Sequence, residues 1–312
     1  MARPAVLVVS RFLLDRRDEW DDHYDVLGPD AITASNWAQS ASRVQVIVSA
    51  GEPLDRSLVD TLPNLKLVAC FSTGYAGIDL AHLRARGIAL TSAAGVNAHD
   101  VADHAIALCL AWWHGVPRAD RNVRAGKWKE GLTPRPSLRG KRAGIVGLGR
   151  IGCEIARRAE ALGLTVSWWG PREKPQAAYP RAASLAALAR DSDILFVASR
   201  AVAANTGQID SAVLTALGPD GLLVNVSRGF LVDERALLHA LEAHIIAGAA
   251  LDVFAHEPTA SHVWERFDNV VLSPHIAGYT REAGVAMFGQ LRENIRRHFA
   301  GEPLLSPVED PL

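Results

Sequence analysis

Apolar residues along the chain fall into short runs, each followed by a polar or glycine-bearing bend and then by a segment with helical patterning. Val6 to Val9, Val44 to Val48, Leu65 to Phe71 and Ile88 to Thr91 are apolar runs of strand length. Between them, Leu54 to Leu62 is bounded by Pro53 and Pro63, and Leu80 to Arg86 is closed by Gly87, which gives the intervening helices their starts and stops. The pattern predicts an α/β arrangement with a parallel sheet. The rhythm returns later, with strands predicted at Thr165 to Trp169, Ile194 to Ala198, Leu222 to Val226, Ala247 to Leu251 and Val270 to Leu272. Helices are predicted at Ser184 to Arg190, Ser211 to Leu217 and Asp233 to Ala243, which makes a doubly wound domain.

Three segments break the alternation. Asp100 to Trp113 is apolar on nearly every side, so it is expected to be buried between two bodies, and the chain is expected to cross between domains there. Arg118 to Gly140 is basic and irregular, with Trp128, Pro134 and Pro136, and reads as an arm or long connection, or as an ordinary surface loop. Phe288, Leu291, Ile295 and Phe299 recur on one helical face that can pack back on the first domain. Residues 1–97 plus 282–312 are therefore expected to form one domain and 98–281 the other.

Composition narrows the partners. The chain has 312 residues, 49% of them hydrophobic and 21% charged, with a formal net charge of -1. It lacks the basic excess that nucleic acid or anionic lipid would favour, so a small molecule is the expected partner. The longest apolar run, Ala105 to Trp113, is far short of the roughly 18 residues a membrane span needs. The N-terminal apolar stretch reads as a first strand rather than as a signal peptide, so a cytoplasmic location is expected. Cys70, Cys109 and Cys153 lie far apart in apolar sequence, which argues for buried thiols and against a disulfide framework or a metal site.

The segment Gly144 to Gly152 joins an apolar strand, a glycine-rich turn and a helix start without a break. Gly147, Gly149 and Gly152 stand in G-x-G-x-x-G spacing after Val146, and Cys153 to Leu162 has helix-favouring composition. The first glycine permits a tight turn, the second lets backbone approach a pyrophosphate, and the third lets helix pack on strand. Helix N-terminal amides then face the anion.

In a doubly wound sheet, ligands bind outside the carboxyl ends of the strands. Arg228, Glu257 and His275 all follow predicted strand ends on the edge that carries the glycine loop. An arginine there can grip a carboxylate in two-pronged fashion, a histidine can move a proton, and a carboxylate can orient that histidine. Each also has a plainer reading: His275 as a loop residue bonded to backbone, Arg228 paired with Asp233 or Glu234, Glu257 as a turn carboxylate, and Asp252 as a cap at a strand end. Trp112, Trp113, Trp168 and Trp169 read as packing.

With their neighbours, these residues resemble the D-isomer-specific 2-hydroxyacid dehydrogenase family, especially its glyoxylate/hydroxypyruvate reductase branch. The resemblance rests on Leu65-Lys66-Leu67-Val68 leading to Ser72-Thr73-Gly74-Tyr75 and Ile78-Asp79, the Gly147 to Gly152 loop, and Val224-Asn225-Val226-Ser227-Arg228-Gly229. It continues through Leu251-Asp252-Val253-Phe254, Glu257-Pro258 and Ser273-Pro274-His275-Ile276-Ala277. It implies two similar Rossmann-like domains with the active site in the cleft, and a homodimer built on the cofactor domain. It also implies that Arg228 binds a 2-keto acid, that His275 is the acid/base, and that Glu257 orients and charges it. Thr73 and Gly74 would offer amides to the substrate carboxylate, Asp252 would contact the nicotinamide carboxamide, and Gly149, Arg150 and Ile151 would hold the pyrophosphate. Departures from the family pattern are Ala76-Gly77 in the substrate loop, Asp103 where Glu is common, and Arg200-Ala201 where Leu-Pro is common. Arg200 is expected near the adenosine part of the cofactor, and Trp128 either reaches a neighbouring subunit's site or packs.

Twenty residues after Gly152, the next strand leads to Arg172, where an NAD enzyme usually places Asp or Glu for the ribose hydroxyls. A guanidinium suits a 2'-phosphate, so NADPH is the expected cofactor, with NADH possible through Glu173. A nucleotide-sensing protein of the same fold, or a related dehydrogenase acting on phosphite or formate, is the competing expectation. Formate enzymes pair their histidine with Gln rather than with a carboxylate such as Glu257.

Overall fold

The computed structural model describes residues 3–16, 20, 23–75 and 77–309. The chain divides into two compact units, Met1–Asn97 with Thr280–Leu312, and Ala98–Tyr279. In the first, β1 (Ala5–Val8), β2 (Asp25–Leu27), β3 (Val44–Ser49), β4 (Leu67–Cys70) and β5 (Ala89–Thr91) form a parallel sheet in the order β2-β1-β3-β4-β5. Every residue of β1 and β4 is buried, because both faces are covered, and this is why the strands read as unbroken apolar runs. Side chains still alternate: Leu7, Ile47 and Val68 join Val59, Leu62 and Leu83 on one face. Val6, Val8, Val46 and Val48 face Phe288, Leu291 and Ile295 on the other.

Those last three residues belong to the helix Arg281–Ala300, which Thr280 caps by accepting from the Ala283 amide at 3.1 Å and which Gly301 ends in the left-handed region. The apolar stripe thus lies where its spacing predicts, with Phe299 partly buried at its end. Phe288 also meets the Trp20 ring edge-on, with centroids 5.3 Å apart.

The second unit holds β6 (Arg142–Val146), β7 (Thr165–Trp169), β8 (Ile194–Val197), β9 (Leu222–Asn225), β10 (Gly248–Leu251) and β11 (Val270–Leu272). They form a parallel sheet in the order β11-β10-β9-β8-β6-β7. From β6 the chain moves outward to β7 on one side and then to β8 on the other, so the order reverses at the carboxyl end of β6, the place where such sheets bind ligands. One face of the sheet is covered by the helices Ala98–Trp113 and Arg150–Ala161. Leu185–Arg190, Ser211–Leu217 and Glu234–Glu242 cover the other. Within this unit Ala98–Trp113 buries Val101, Ala102, Ala105, Leu108, Cys109 and Trp113, and Asp103 pairs with Arg158 at 2.6 Å.

The structure differs from the sequence expectation in three places. Residues 118–140 are not wholly irregular: a helix covers Val116–Arg124, entered through Gly115 at φ 65 with proline in its first turn. It buries no residue, so it has no core-facing stripe to reveal it. The expected helix Leu54 to Leu62 shortens to Arg56–Asp60, because Asp55 caps it by accepting from Ser57. The edge strand β2 has only three half-buried residues, too few to show a period. Trp112, Trp113 and Trp168 donate their indole N–H groups to the carbonyls of Asn269, Pro136 and Tyr179, which fits packing roles. The three cysteines are free thiols, and burial pushes the Cys109 thiol up to about 12. Among the described residues, no helix is long and apolar enough to cross a membrane.

Phe288 is 2% exposed, so Phe288→Ala is expected to cost about 3–5 kcal/mol in denaturant unfolding. A loss under about 1 kcal/mol would show that the C-terminal helix adds little to the first unit's core.

Candidate active site

The glycine turn follows β6 directly. Gly147 has φ +92, and its amide donates to the Trp169 carbonyl at 2.8 Å, which ties the turn to β7. A Cβ at Gly152 would lie 2.0 Å from the Gly147 carbonyl oxygen, so only glycine lets the helix sit this close to the turn. Gly149 differs, because a Cβ there would meet nothing within 4 Å. It is also the N-cap of Arg150–Ala161, and no side chain caps that helix. An uncapped N-terminus with open space above its glycine suits a phosphate. Arg150 is exposed in the first turn, Ile151 packs partly into the core, and the Lys174 ammonium donates to the Leu148 carbonyl on the same loop.

At the end of β7, Arg172 is exposed. Glu173, the carboxylate that could serve a ribose, has the Arg181 guanidinium 3.8 Å away. Arg181 also donates to the Gly170 carbonyl at 2.8 Å, which places its cation beside that turn.

The loops after β9, β10 and β11 hold Arg228, Glu257 and His275. The Asn225 side chain shapes the first, accepting from the Ser227 amide at 3.0 Å and donating to the Arg228 carbonyl at 3.1 Å. Gly229 then lies against backbone: a Cβ there would be 1.9 Å from the Phe254 carbonyl carbon, so the Arg228 and Glu257 loops are packed directly together. Arg228 is half-buried and donates from Nη1 to the Ser227 carbonyl at 2.6 Å. Burial pushes its pKa below the usual arginine value and the nearby Glu257 carboxylate opposes that, so the group is a partly desolvated cation. Its other guanidinium donors have no acceptor among the described residues. Asp233 and Glu234 do not pair with it: Asp233 caps a helix by accepting from Ala236, and Glu234 accepts from the Ala255 amide.

Glu257 accepts from the Phe254 amide with Oε1 at 3.0 Å and from His275 Nδ1 with Oε2 at 2.6 Å. It is both the carboxylate of a turn and the partner of the histidine. With Nδ1 committed, the ring's Nε2 meets no partner among the described residues. His275 itself has φ +56, a left-handed conformation that side-chain-bearing residues rarely adopt. Its amide donates to the Asp252 carbonyl at 2.8 Å. Asp252 is 0% exposed, and its carboxylate accepts from Ser273 Oγ at 2.6 Å and from the Ile276 and Ala277 amides at 2.9 Å each. Ser273, Lys174 and His104, whose Nε2 lies 2.8 Å from Ser273 Oγ, join the site without a signature in the sequence. Ser273 stood inside a motif quoted for its histidine, and a lone histidine on an apolar helix carries no signal of its own.

In the first unit, Thr73 and Gly74 follow β4. Ser72 Oγ donates to the Gly74 carbonyl and Cys70 Sγ does so at 3.6 Å, which fixes the bend. The Thr73 and Gly74 amides donate to no partner among the described residues. Ala76 lies outside the described residues. Trp128 is 67% exposed at φ 50.

Because Gly149 has an ordinary φ and open space, Gly149→Ala is expected to leave Tm unchanged while weakening dinucleotide affinity about tenfold or more, read by fluorescence titration. Unchanged affinity would remove the phosphate from this loop.

Residues 106–277 match the family model described as D-isomer specific 2-hydroxyacid dehydrogenase, NAD binding domain. The chain is 42% identical over 266 residues to glyoxylate/hydroxypyruvate reductase A HPR2 of Arabidopsis thaliana, covering 84% of each. It is 40% identical over 273 residues to hydroxyphenylpyruvate reductase of Plectranthus scutellarioides, covering 86% of this chain and 87% of that protein. Among solved structures, it superposes with a TM-score of 0.89 on the NADPH-dependent glyoxylate/hydroxypyruvate reductase of Sinorhizobium meliloti in complex with NADP and malonate. That match has 35% identity and covers 98% of this chain and 97% of that one. The doubly wound sheets, the glycine turn at the switch point and these likenesses agree: the chain belongs to the D-isomer specific 2-hydroxyacid dehydrogenase family of NAD(P)-dependent oxidoreductases.

Proposed function

We propose that this protein reduces a small 2-keto acid, glyoxylate or hydroxypyruvate, to the D-2-hydroxy acid, with NADPH as the preferred donor and NADH as a usable one. The observation that carries this reading is the His275–Glu257 pair at 2.6 Å, with Nε2 bonded to none of the described residues, on the same strand-end edge as a partly desolvated Arg228. The nicotinamide, when bound, supplies the hydride to the keto carbon. Arg228 grips the carboxylate and opposes the charge that develops on the keto oxygen. His275 Nε2 donates a proton to that oxygen while Glu257 holds the ring by Nδ1 and balances its charge. The proposal also gives Thr73 and Gly74 the role of offering their amides to the substrate carboxylate.

For the cofactor, Gly147, Gly149, Arg150, Ile151 and Gly152 are the proposed pyrophosphate cradle, and Arg172 the proposed grip on a 2'-phosphate. Two features support NADPH: the exposed Arg172 at the end of β7, and the Arg181 cation beside Glu173. The Ala98–Tyr279 unit is then the dinucleotide-binding domain and the Met1–Asn97 and Thr280–Leu312 unit the substrate domain. A cytoplasmic homodimer completes the proposal, with size-exclusion chromatography coupled to light scattering as its check.

Initial rates with glyoxylate, hydroxypyruvate, pyruvate and phenylpyruvate against each nicotinamide should give the highest kcat/KM for one of the first two with NADPH. A clear preference for phenylpyruvate would contradict the substrate. Replacing His275 by alanine should lower kcat about 10²- to 10⁴-fold, whereas Arg228→Ala should both lower kcat and raise KM. Near-normal turnover in the histidine variant would exclude its acid/base role. Arg172→Asp should cut the NADPH-to-NADH ratio of kcat/KM by about tenfold or more, as expected for losing one charge-assisted contact. An unchanged ratio would move the phosphate grip elsewhere.

A further inference from the structure

The loop that carries His275 is anchored from beneath by groups that no part of the proposed reaction uses. The Asp252 carboxylate is fully sealed from solvent, and three donors from one short segment converge on it: Ser273 Oγ and the Ile276 amide on Oδ1, and the Ala277 amide on Oδ2. The His275 amide closes the set by donating to the Asp252 carbonyl. Residues 273, 275, 276 and 277 are thus all tied to a single residue at the end of β10. Between them His275 holds φ +56, a strained conformation for a residue with a side chain, which persists only where the surroundings over-determine it.

A fifth group completes the anchor from another element. His104, on the helix Ala98–Trp113, places Nε2 2.8 Å from Ser273 Oγ and 3.4 Å from Asp252 Oδ1. The Ser273 hydroxyl has one proton, and the buried carboxylate takes it at 2.6 Å. Ser273 Oγ is therefore the acceptor toward His104, which fixes the His104 tautomer with its proton on Nε2. Donor and acceptor run in one direction, from His104 through Ser273 to Asp252. Without the His104 donor, the serine hydroxyl is free to rotate off the carboxylate and leave a buried anion short of a hydrogen bond, which is costly in a low-dielectric interior.

We infer that His104 is a positioning residue for the reaction: through Ser273 and Asp252 it holds the His275 segment in its left-handed conformation, so that the imidazole keeps its angle toward the substrate oxygen. The Asp252 carboxylate serves this anchor: Oδ1 accepts from Ser273 Oγ and the Ile276 amide, Oδ2 accepts from the Ala277 amide, and the residue is buried. The inference rests on His275 being the acid/base. Misplacing a reacting group by as little as about 1 Å lowers the rate by roughly a hundredfold, so an anchor of this kind acts on kcat.

The test compares His104→Phe, which keeps a ring and removes the donor, with His104→Gln, whose amide restores a donor. Measured are kcat and KM for the keto acid, the NADPH dissociation constant by nicotinamide fluorescence, and Tm. His104→Phe is expected to lower kcat about tenfold to a hundredfold with NADPH affinity within about twofold of the parent, and His104→Gln to recover most of the loss. Equal loss of kcat in both variants with a fall in Tm would reduce His104 to a packing role and overturn the inference. Weakened NADPH affinity at normal kcat would overturn it too, because the network would then serve the cofactor. His275→Ala is measured in parallel: near-normal turnover there overturns the acid/base reading itself, whereas loss there beside a normal His104→Phe overturns only the positioning role.

Discussion

A carboxylate sealed from solvent must find its hydrogen bonds inside the protein, and the segment after β11 is arranged around that need. Asp252 takes a hydroxyl and two amides from residues 273 to 277, and in doing so bends the chain into the left-handed turn that presents His275. The geometry of the His275–Glu257 pair follows from this bend. So does the freedom of Nε2, since Glu257 approaches the ring from the Nδ1 side.

The parallel sheet sets the larger frame. All its strands point the same way, so every loop at the carboxyl edge opens on one side of the unit, and the reversal of order at β6 places the glycine turn on that edge. The close approach of Gly229 to the Phe254 backbone binds two of these loops to each other, and Asn225 fixes the shape of one of them from the strand end. Arg228, Glu257 and His275 therefore come from three loops, the first two joined by backbone packing and the third held by the Asp252 carboxylate and by the bond from His275 to Glu257.

Much of this was legible in the chain itself. Apolar runs such as Leu67 to Cys70 announced strands of a parallel sheet, and the stripe Phe288, Leu291, Ile295 and Phe299 announced a helix with one buried face. What stayed hidden had no periodic signature: a polar surface helix at Val116–Arg124, a three-residue edge strand, and a histidine on an apolar helix whose partner lies 169 residues away. The anchoring contacts of Asp252 and Ser273 were hidden for a related reason. Burial and hydrogen-bond direction are properties of the folded chain, so a motif shows that Asp252 is present without showing which groups it serves.

The proposed reaction delivers a hydride and a proton to a 2-keto acid with one handedness. The most direct measurement is chiral analysis of the product formed from hydroxypyruvate and NADPH, alongside the amount of NADPH consumed. D-glycerate formed in a one-to-one ratio with oxidised cofactor is the expected result. Formation of the L isomer, or cofactor binding with no NADPH consumption on any keto acid, would contradict the account.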